Sequence, residues 1–423
     1  MANEWYTLDN AAKIFPAVYK RSDTNSYRLS ALLKENIDPN ILKKATIDAL
    51  KRFPSLCVKL KRGVFWYYLE HNYNTPIIEE EDPYLFNSVH IHTHNGFMFT
   101  VSYFGRRISL EMFHALTDGT GASEFLKTIV YYYLIHTGKD IKNDGSVQTD
   151  EVEKLSAETL DDFNENYESK VKAPDKEPRA FQMKGKYYKD NWTGLVQLIA
   201  DVDNLKQVAH KYDATITGLM GAVILYSLYN VYFKDKKTPK HNLRLFLPIN
   251  ARKYFNSHSM RNFMLYTRTT GEFRNKSLTF EDVVGYVKDT LSKVNRDLLM
   301  RQLVSNVNIE KNFLVKILPL PIKNFIMRIA YKMHGQDSNT VSFSNLGKLT
   351  IPEGMSPFIE RFEFMIGVSK LSPVNMGAVS VNNTFVFSYA SKFVDRDVIQ
   401  QIASNMASLG IKVTVETNDL EVE

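Results

Sequence analysis

The chain has 423 residues, of which 44% are hydrophobic and 24% charged, the balance of a soluble globular protein of two to three domains. Its net charge of +6 is a mild excess with no basic block interleaved with stacking aromatics, so no nucleic-acid partner is expected. The single cysteine, Cys57, excludes an internal disulfide framework, and no apolar run reaches the ~18 residues of a membrane span.

Met1 to Phe15 is polar and has no apolar signal core, so a cytoplasmic location is the expectation. Aromatic residues make up 12% of the chain, a supply that would suit aromatic-walled pockets. The charge excess would also help attract an anionic cofactor.

Residues 5–15 read as a short helix or turn and Tyr27 to Leu33 as a strand. Asp38 and Pro39 take cap and first-turn positions for a helix with Ile41, Ala45, Ala49, Leu50 and Phe53 in register, and Pro54 stops it. Leu56 to Leu60 and Val64 to Glu70 alternate as a hairpin around Lys61-Arg62-Gly63. Strands follow at 87–93, 96–104 and 107–113, then a helix from Thr120 to about His136 with acidic groups near its start.

Residues 138–185 are rich in Lys, Asp, Glu and Asn, lack a sustained apolar strand and contain Pro174 and Pro178. They read as a partly mobile crossover linker between an N-terminal unit, 1–137, and a C-terminal unit, 186–423.

In the second half, Thr193 to Val202 is a strand and Asp203 to Tyr212 a helix. Thr215 to Thr217 opens a long apolar helix with a threonine cap. Strands at Arg244 to Ile249 and Asn262 to Thr270 are followed by one long helix, Leu278 to Gln302. Phe313 to His334 mixes proline, apolar and basic residues. It fits a packed helix with exposed lysines, or a basic amphipathic face for a membrane or a hydrophobic acceptor. Strands at 341–347, 361–369, 374–381 and 384–390, a helix at 394–409 and a strand at 410–416 complete the chain.

The stretch with chemical promise is His114-Ala-Leu-Thr-Asp118-Gly119-Thr-Gly121, where the apolar strand ends and the helix begins. Imidazole is the one side chain whose ordinary pKa lies near neutrality, so it can take and return a proton at pH 7. An aspartate one turn away can orient that ring directly, or lock the loop through a salt bridge elsewhere. Gly119 and Gly121 are read as sites of backbone angles that a Cβ would forbid.

The His-x-x-x-Asp-Gly turn resembles the active-site signature of the chloramphenicol acetyltransferase-like superfamily. Three further stretches match in the same order: the Asp-Pro, helix, Arg-Phe-Pro, hairpin opening, Pro248-Ile-Asn-Ala-Arg252, and Ser344-Asn-Leu-Gly347. Condensation domains of the superfamily carry a second histidine where Phe113 stands, and the Asp-Phe-Gly-Trp-Gly stretch of the plant branch is absent. The alcohol O-acetyltransferase branch is the nearest match.

The resemblance implies an α/β fold with mixed sheets: two similar chloramphenicol-acetyltransferase-like domains with an active-site tunnel between them. It implies His114 as general base, taking a proton from a small-molecule alcohol or amine that attacks the thioester of acetyl-CoA or another acyl-CoA. That co-substrate comes and goes, with no cofactor bound permanently and no metal site. Asp118 pairs with Arg252 in this scheme, and Gly119 shapes the turn. Oxyanion candidates are Ser342, Ser344, Tyr266 and Thr267, and Asn345 and Gly347 belong to the loop near the tunnel. The basic loop Lys234–Lys240 reads as solvated or as a phosphate contact, and Cys57 as a packing residue. A monomer is expected. A condensation-type enzyme with a carrier-protein donor, and a non-catalytic binding protein of the same fold, are the competing readings.

Overall fold

In the computed structural model the described residues are 5–20, 23–87, 89, 93–175, 177–236, 239–331 and 337–418. The elements in order are β1 (Trp5–Thr7), α1 (Ile14–Val18), β2 (Ser26–Leu33), α2 (Pro39–Arg52), β3 (Val58–Arg62), β4 (Tyr67–His71), β5 (Ile78–Glu80), β6 (Phe99–Phe104), β7 (Arg107–Phe113) and α3 (Gly119–His136). Then come α4 (Asp162–Glu165), β8 (Gly194–Asp201), α5 (Val202–Lys211), α6 (Ile216–Tyr232), β9 (Leu245–Asn250), α7 (Arg252–Phe255), β10 (Met264–Arg268), α8 (Phe280–Ser292) and α9 (Arg296–Lys311). The last are α10 (Phe313–Ile317), α11 (Leu320–Ala330), β11 (Val341–Lys348), β12 (Ile359–Ile366), β13 (Val374–Val381), β14 (Thr384–Ser391), α12 (Asp397–Ser408) and β15 (Val413–Thr417).

These form two mixed α/β layers and a small hairpin sheet. The first large sheet runs β12-β2-β7-β6-β5 and the second β10-β9-β11-β13-β14-β8-β15. Both contain parallel pairs, β5 with β6 in the first and β11 with β9 and β13 in the second. β12 comes from the last quarter of the chain, yet it pairs antiparallel with β2 in the N-terminal sheet. That exchanged strand ties the halves together. One apolar core lies between the first sheet and α2 and α3, and a second between the other sheet and α5, α6, α8 and α12. A third gathers around α9, with Phe163, Phe263 and Leu265.

The helix starts follow the expected chemistry. Asp38 accepts from the amides of Asn40 and Ile41, and Thr215 accepts from Gly218, so each satisfies donors that a helix N-terminus leaves free. α2 ends at Arg52, before Pro54.

Several expectations are corrected. Residues 5–7 form a strand rather than a helix, because their backbone pairs with β4. The hairpin connection falls at 63–66 instead of 61–63, closed by the Gly63 amide donating to Trp66 O. The helix expected over 278–302 is two helices: Asn295 accepts from the Leu298 amide and so caps a fresh start for α9. The expected strand at 87–93 lies largely outside the described residues, as do part of the 234–240 loop and the end of the 313–334 segment.

The 138–185 stretch packs against the rest of the chain at several points. Glu158 forms a paired salt bridge with Arg52 at 2.7 Å, and the Met260 amide donates to its carbonyl at 2.8 Å. Phe163 is fully buried against Phe263. Further along, Glu177 pairs with Arg244 and lies 3.2 Å from Arg268, contacts that composition does not reveal.

Among the described residues no single helix is long and apolar enough to cross a membrane.

Candidate active site

His114 follows the last residue of β7, and its amide donates to Asn25 O at 3.1 Å. Its half-buried ring lies between two aromatics. Phe15 of α1 stacks on it at 4.8 Å with the planes 10° apart, and Tyr27 of β2 tilts against it at 4.7 Å. The Tyr27 hydroxyl donates to Thr117 O at 2.9 Å, which fixes that wall. Burial pushes the imidazole pKa down to about 4, although Asp118, Asn262 and its own backbone pull the other way. Nδ1 is buried and makes no hydrogen bond of good geometry to any described residue. The ring is therefore neutral at pH 7 and keeps a lone pair or a proton for something else.

Asp118 does not point at the histidine. Its Oδ1 caps α3 by accepting from the amides of Thr120 and Gly121 at 3.1 and 3.3 Å. Its Oδ2 accepts from Arg252 Nη1 at 2.8 Å and from the Phe263 amide at 2.9 Å. Arg252 spends its other donors on the carbonyls of Ser259 (2.7 Å) and Arg261. Asn250, two residues earlier, donates to Thr120 Oγ1 at 3.3 Å, and Thr117 Oγ1 donates to Met260 O at 2.6 Å. The turn after β7 is thus bolted to the β9–β10 segment of the other half.

The two glycines of the turn have a different role from the one expected, because neither has a positive φ. They are sites of close approach. A Cβ on Gly121 would sit 2.6 Å from the backbone oxygen of Met260, and one on Gly119 would sit 2.7 Å from Leu346 Cδ2. Leu346 belongs to the Ser-Asn-Leu-Gly stretch, so two of the motifs touch here.

β-sheet register sorts the remaining candidates. Ser342 is paired with Phe246, Ser344 with Gly377, and Tyr266 with Pro248, which places all three on one face with Asn250. That face is turned toward the N-terminal half: Gly377 lies against the Phe364 backbone of β12, and Asn250 reaches Thr120. Thr267 is paired with Leu247, a residue of the helix-side core, and so falls on the opposite face. Asn345 is likewise turned away, donating to Thr217 Oγ1 of α6 at 3.1 Å and accepting from the Gly347 amide at 2.9 Å. Gly347 has φ +78°, a conformation that side chains rarely adopt, so it serves the turn.

Sequence reasoning missed four residues around the ring: Phe15, Tyr27, Asn262 and Asp9. Asn262 sits beside His114 and donates to Asp9 Oδ2 at 3.2 Å, while Asp9 Oδ1 accepts from the Ala12 amide at 2.7 Å. Asp9 is fully buried, and burial raises its carboxyl to about 6 against the pull of Arg261. The one available signal was the Tyr27 position, an aromatic on the strand neighbouring the motif strand.

Cys57 is half-buried, and burial pushes its thiol up to about 11, so it offers no thiolate nucleophile at neutral pH. Lys234 and Lys236 of the basic loop are exposed. No cluster of three or more metal-ligating side chains occurs among the described residues. A cavity of about 380 Å³ lined by Asp201, Asn383, Lys412 and Thr414 lies at the β8–β15 edge and contains none of the motif residues.

Residues 195–361 match the family model described as alcohol acetyltransferase. The match takes in Pro248–Arg252 and Ser344–Gly347 and leaves out the His114 turn. No curated protein matches the sequence significantly. The structure is similar to polyketide synthase associated protein 5 from Mycobacterium tuberculosis, with 13% identity and a TM-score of 0.57 over 96% of this chain and 98% of that one. It is similar to F. sporotrichioides TRI101, solved with coenzyme A and T-2, with 12% identity and a TM-score of 0.60 over 98% and 100%. It is also similar to the epimerization domain from the third module of tyrocidine synthetase B, with 10% identity and a TM-score of 0.59 over 97% of each chain. Over residues 195–361 the sequence is thus similar to the alcohol acetyltransferase family, and over nearly its whole length the chain shares the fold of these three solved structures.

Proposed function

We propose that the protein is an acyltransferase that moves an acyl group, acetyl in the simplest case, from a coenzyme A thioester to the hydroxyl of a small-molecule acceptor. The observation that carries the reading is the state of His114. It is a neutral, half-buried imidazole clamped between Phe15 and Tyr27, with a buried Nδ1 that makes no hydrogen bond of good geometry to any described residue. The alcohol acetyltransferase match over 195–361 supports the substrate class, as does the coenzyme A bound by the structurally similar TRI101.

His114 accepts the acceptor's hydroxyl proton as the oxygen attacks the thioester carbonyl carbon. A new C–O bond forms and the carbonyl oxygen gains the negative charge. Ser342, Ser344 and Tyr266, on the sheet face turned toward the N-terminal half, are the donors available to that oxyanion. When the intermediate collapses the C–S bond breaks, and the imidazolium returns its proton to the thiolate. A ring whose pKa is about 4 is an avid donor in this second step. No acyl-enzyme is required. Asp118 and Arg252 take no part in proton transfer and hold the turn that carries the histidine.

The test is release of free thiol from acetyl-CoA with a panel of alcohols, against acetyl-pantetheinyl carrier protein as donor. Acceptor-dependent release from acetyl-CoA supports the reading. Transfer from the carrier protein alone would favour a condensation-type enzyme. No transfer from either donor would favour a binding protein.

A further inference from the structure

Of the two readings of the 313–334 segment, the packed helix with exposed lysines does not fit α11, whose one lysine is buried. α11 turns Lys323 and Asn324 inward: Lys323 is only 1% exposed and donates to Phe65 O at 2.9 Å, and Asn324 donates to the Tyr67 hydroxyl at 3.0 Å. Its apolar residues face outward. Ile322, Phe325, Ile326 and Ile329 recur at the spacing of one helix face, and Phe325 is 63% exposed. α10 continues the stripe with Phe313, 71% exposed, and Ile317. The β3–β4 tip adds exposed Val64 and Phe65 beside it, where the Leu320 amide donates to Val64 O at 2.9 Å. An outward apolar face of this extent is costly in water, and its presence calls for a non-aqueous partner.

Charge identifies the partner. From Lys311 to Gln336 the chain contains no Asp or Glu and has five cations, Lys311, Lys316, Lys323, Arg328 and Lys332. Of these Lys311, Lys316 and Arg328 are exposed, as is Arg62 at the hairpin, whereas Lys323 is turned inward and takes no part in the charged face. The nearest preceding carboxylate, Glu310, is occupied by Lys13 and Asn10. A second copy docked by the same face would bring like cations together, whereas an anionic surface is complementary to them. We propose that α10, α11 and the β3–β4 tip form a docking face for an anionic lipid bilayer, with the apolar stripe seated among the acyl chains and the cations at the headgroups. The face lies next to the site: Arg328 Nε donates to Ala17 O of α1 at 2.6 Å, and Phe15 of α1 stacks on His114. Acceptors dissolved in a membrane would meet the protein on that side. The docking itself does not depend on the acyl-transfer reading.

The test is co-sedimentation of the full chain with vesicles of phosphatidylcholine alone and of phosphatidylcholine with phosphatidylserine. The chain should bind the mixed vesicles and bind the neutral ones more weakly, with the difference erased by high salt. Phe325→Ser with Ile326→Ser should weaken binding at least about tenfold, with an unchanged melting temperature because both side chains are exposed. Lys316→Glu should weaken binding to the mixed vesicles alone. No binding to either vesicle, equal binding to both, or a concentration-dependent dimer that the serine variant dissolves without any vesicle binding would overturn the proposal.

Discussion

Asp118 Oδ2 sits 2.8 Å from Arg252 Nη1, across the junction between the two halves and with both side chains nearly buried. The same carboxylate caps α3 with its other oxygen. One side chain therefore fixes the start of a helix, the turn that carries His114, and its attachment to the β9–β10 segment.

Arg252→Ala leaves that carboxylate buried without its cation. Breaking a buried pair from one side costs about 3–5 kcal/mol, and equilibrium denaturation should show a loss of that order together with loss of activity. Arg252→Lys should recover only part of it, because the ammonium cannot hold Asp118, Ser259 O and Arg261 O together as the planar guanidinium does. A lysine variant as stable as the parent would show that the fork geometry is irrelevant.

Gly121 and Gly119 separate in their tolerance. Alanine at 121 would meet the Met260 backbone, which cannot move without opening the junction, whereas alanine at 119 would meet the end of a leucine that can rotate. Gly121→Ala should cost about 1–3 kcal/mol or more, and Gly119→Ala clearly less. Thermal melts of the two variants decide it, and equal losses would contradict the geometry.

Much of this was legible in sequence, and the reasons differ by residue. Asp38, Thr215 and the break at Pro54 work through local backbone chemistry, so the helix starts and the first helix stop followed from neighbours in the chain. The Asp118–Arg252 pair, 134 positions apart, followed from the family resemblance alone. Asp9 and Phe15 were out of reach, because their roles come from where the first twenty residues are laid across the histidine. α11 was left between a packed helix and an outward amphipathic face, because its periodicity reveals a face but not the direction in which that face is turned. β12 looked like any strand of the C-terminal sheet until its pairing with β2 placed it in the other.

The pH dependence follows from burial. An imidazole held at about 4 accepts a proton only above that pH, so kcat/KM should be flat from neutrality down to about pH 5 and fall as pH drops through about 4. An acid limb near the ordinary histidine value of 6.5 would show that the ring is solvated. Asp9 contributes in the opposite sense to stability. A carboxyl raised from 3.8 to about 6 in the fold favours the folded state when protonated, and that contribution is lost as pH rises through 6. Asp9→Asn should therefore melt higher relative to the parent at pH 7 than it does at pH 5. The same offset at both pH values would contradict this.

Sheet register predicts which hydroxyl matters. Removing an oxyanion donor costs about 10²–10³ in kcat, so one of Ser342→Ala, Ser344→Ala or Tyr266→Phe should show that loss with KM little changed. Thr267→Val, on the helix-side face, should leave kcat near that of the parent. The reverse pattern would place the reacting atoms on the wrong side of the sheet.

The most direct measurement is the turnover of His114→Ala with acetyl-CoA and the best alcohol found for the parent chain. The account predicts a fall of about 10²–10⁴-fold in kcat with an unchanged circular dichroism spectrum. Turnover equal to that of the parent would remove His114 from the chemistry, and with it the proposed mechanism.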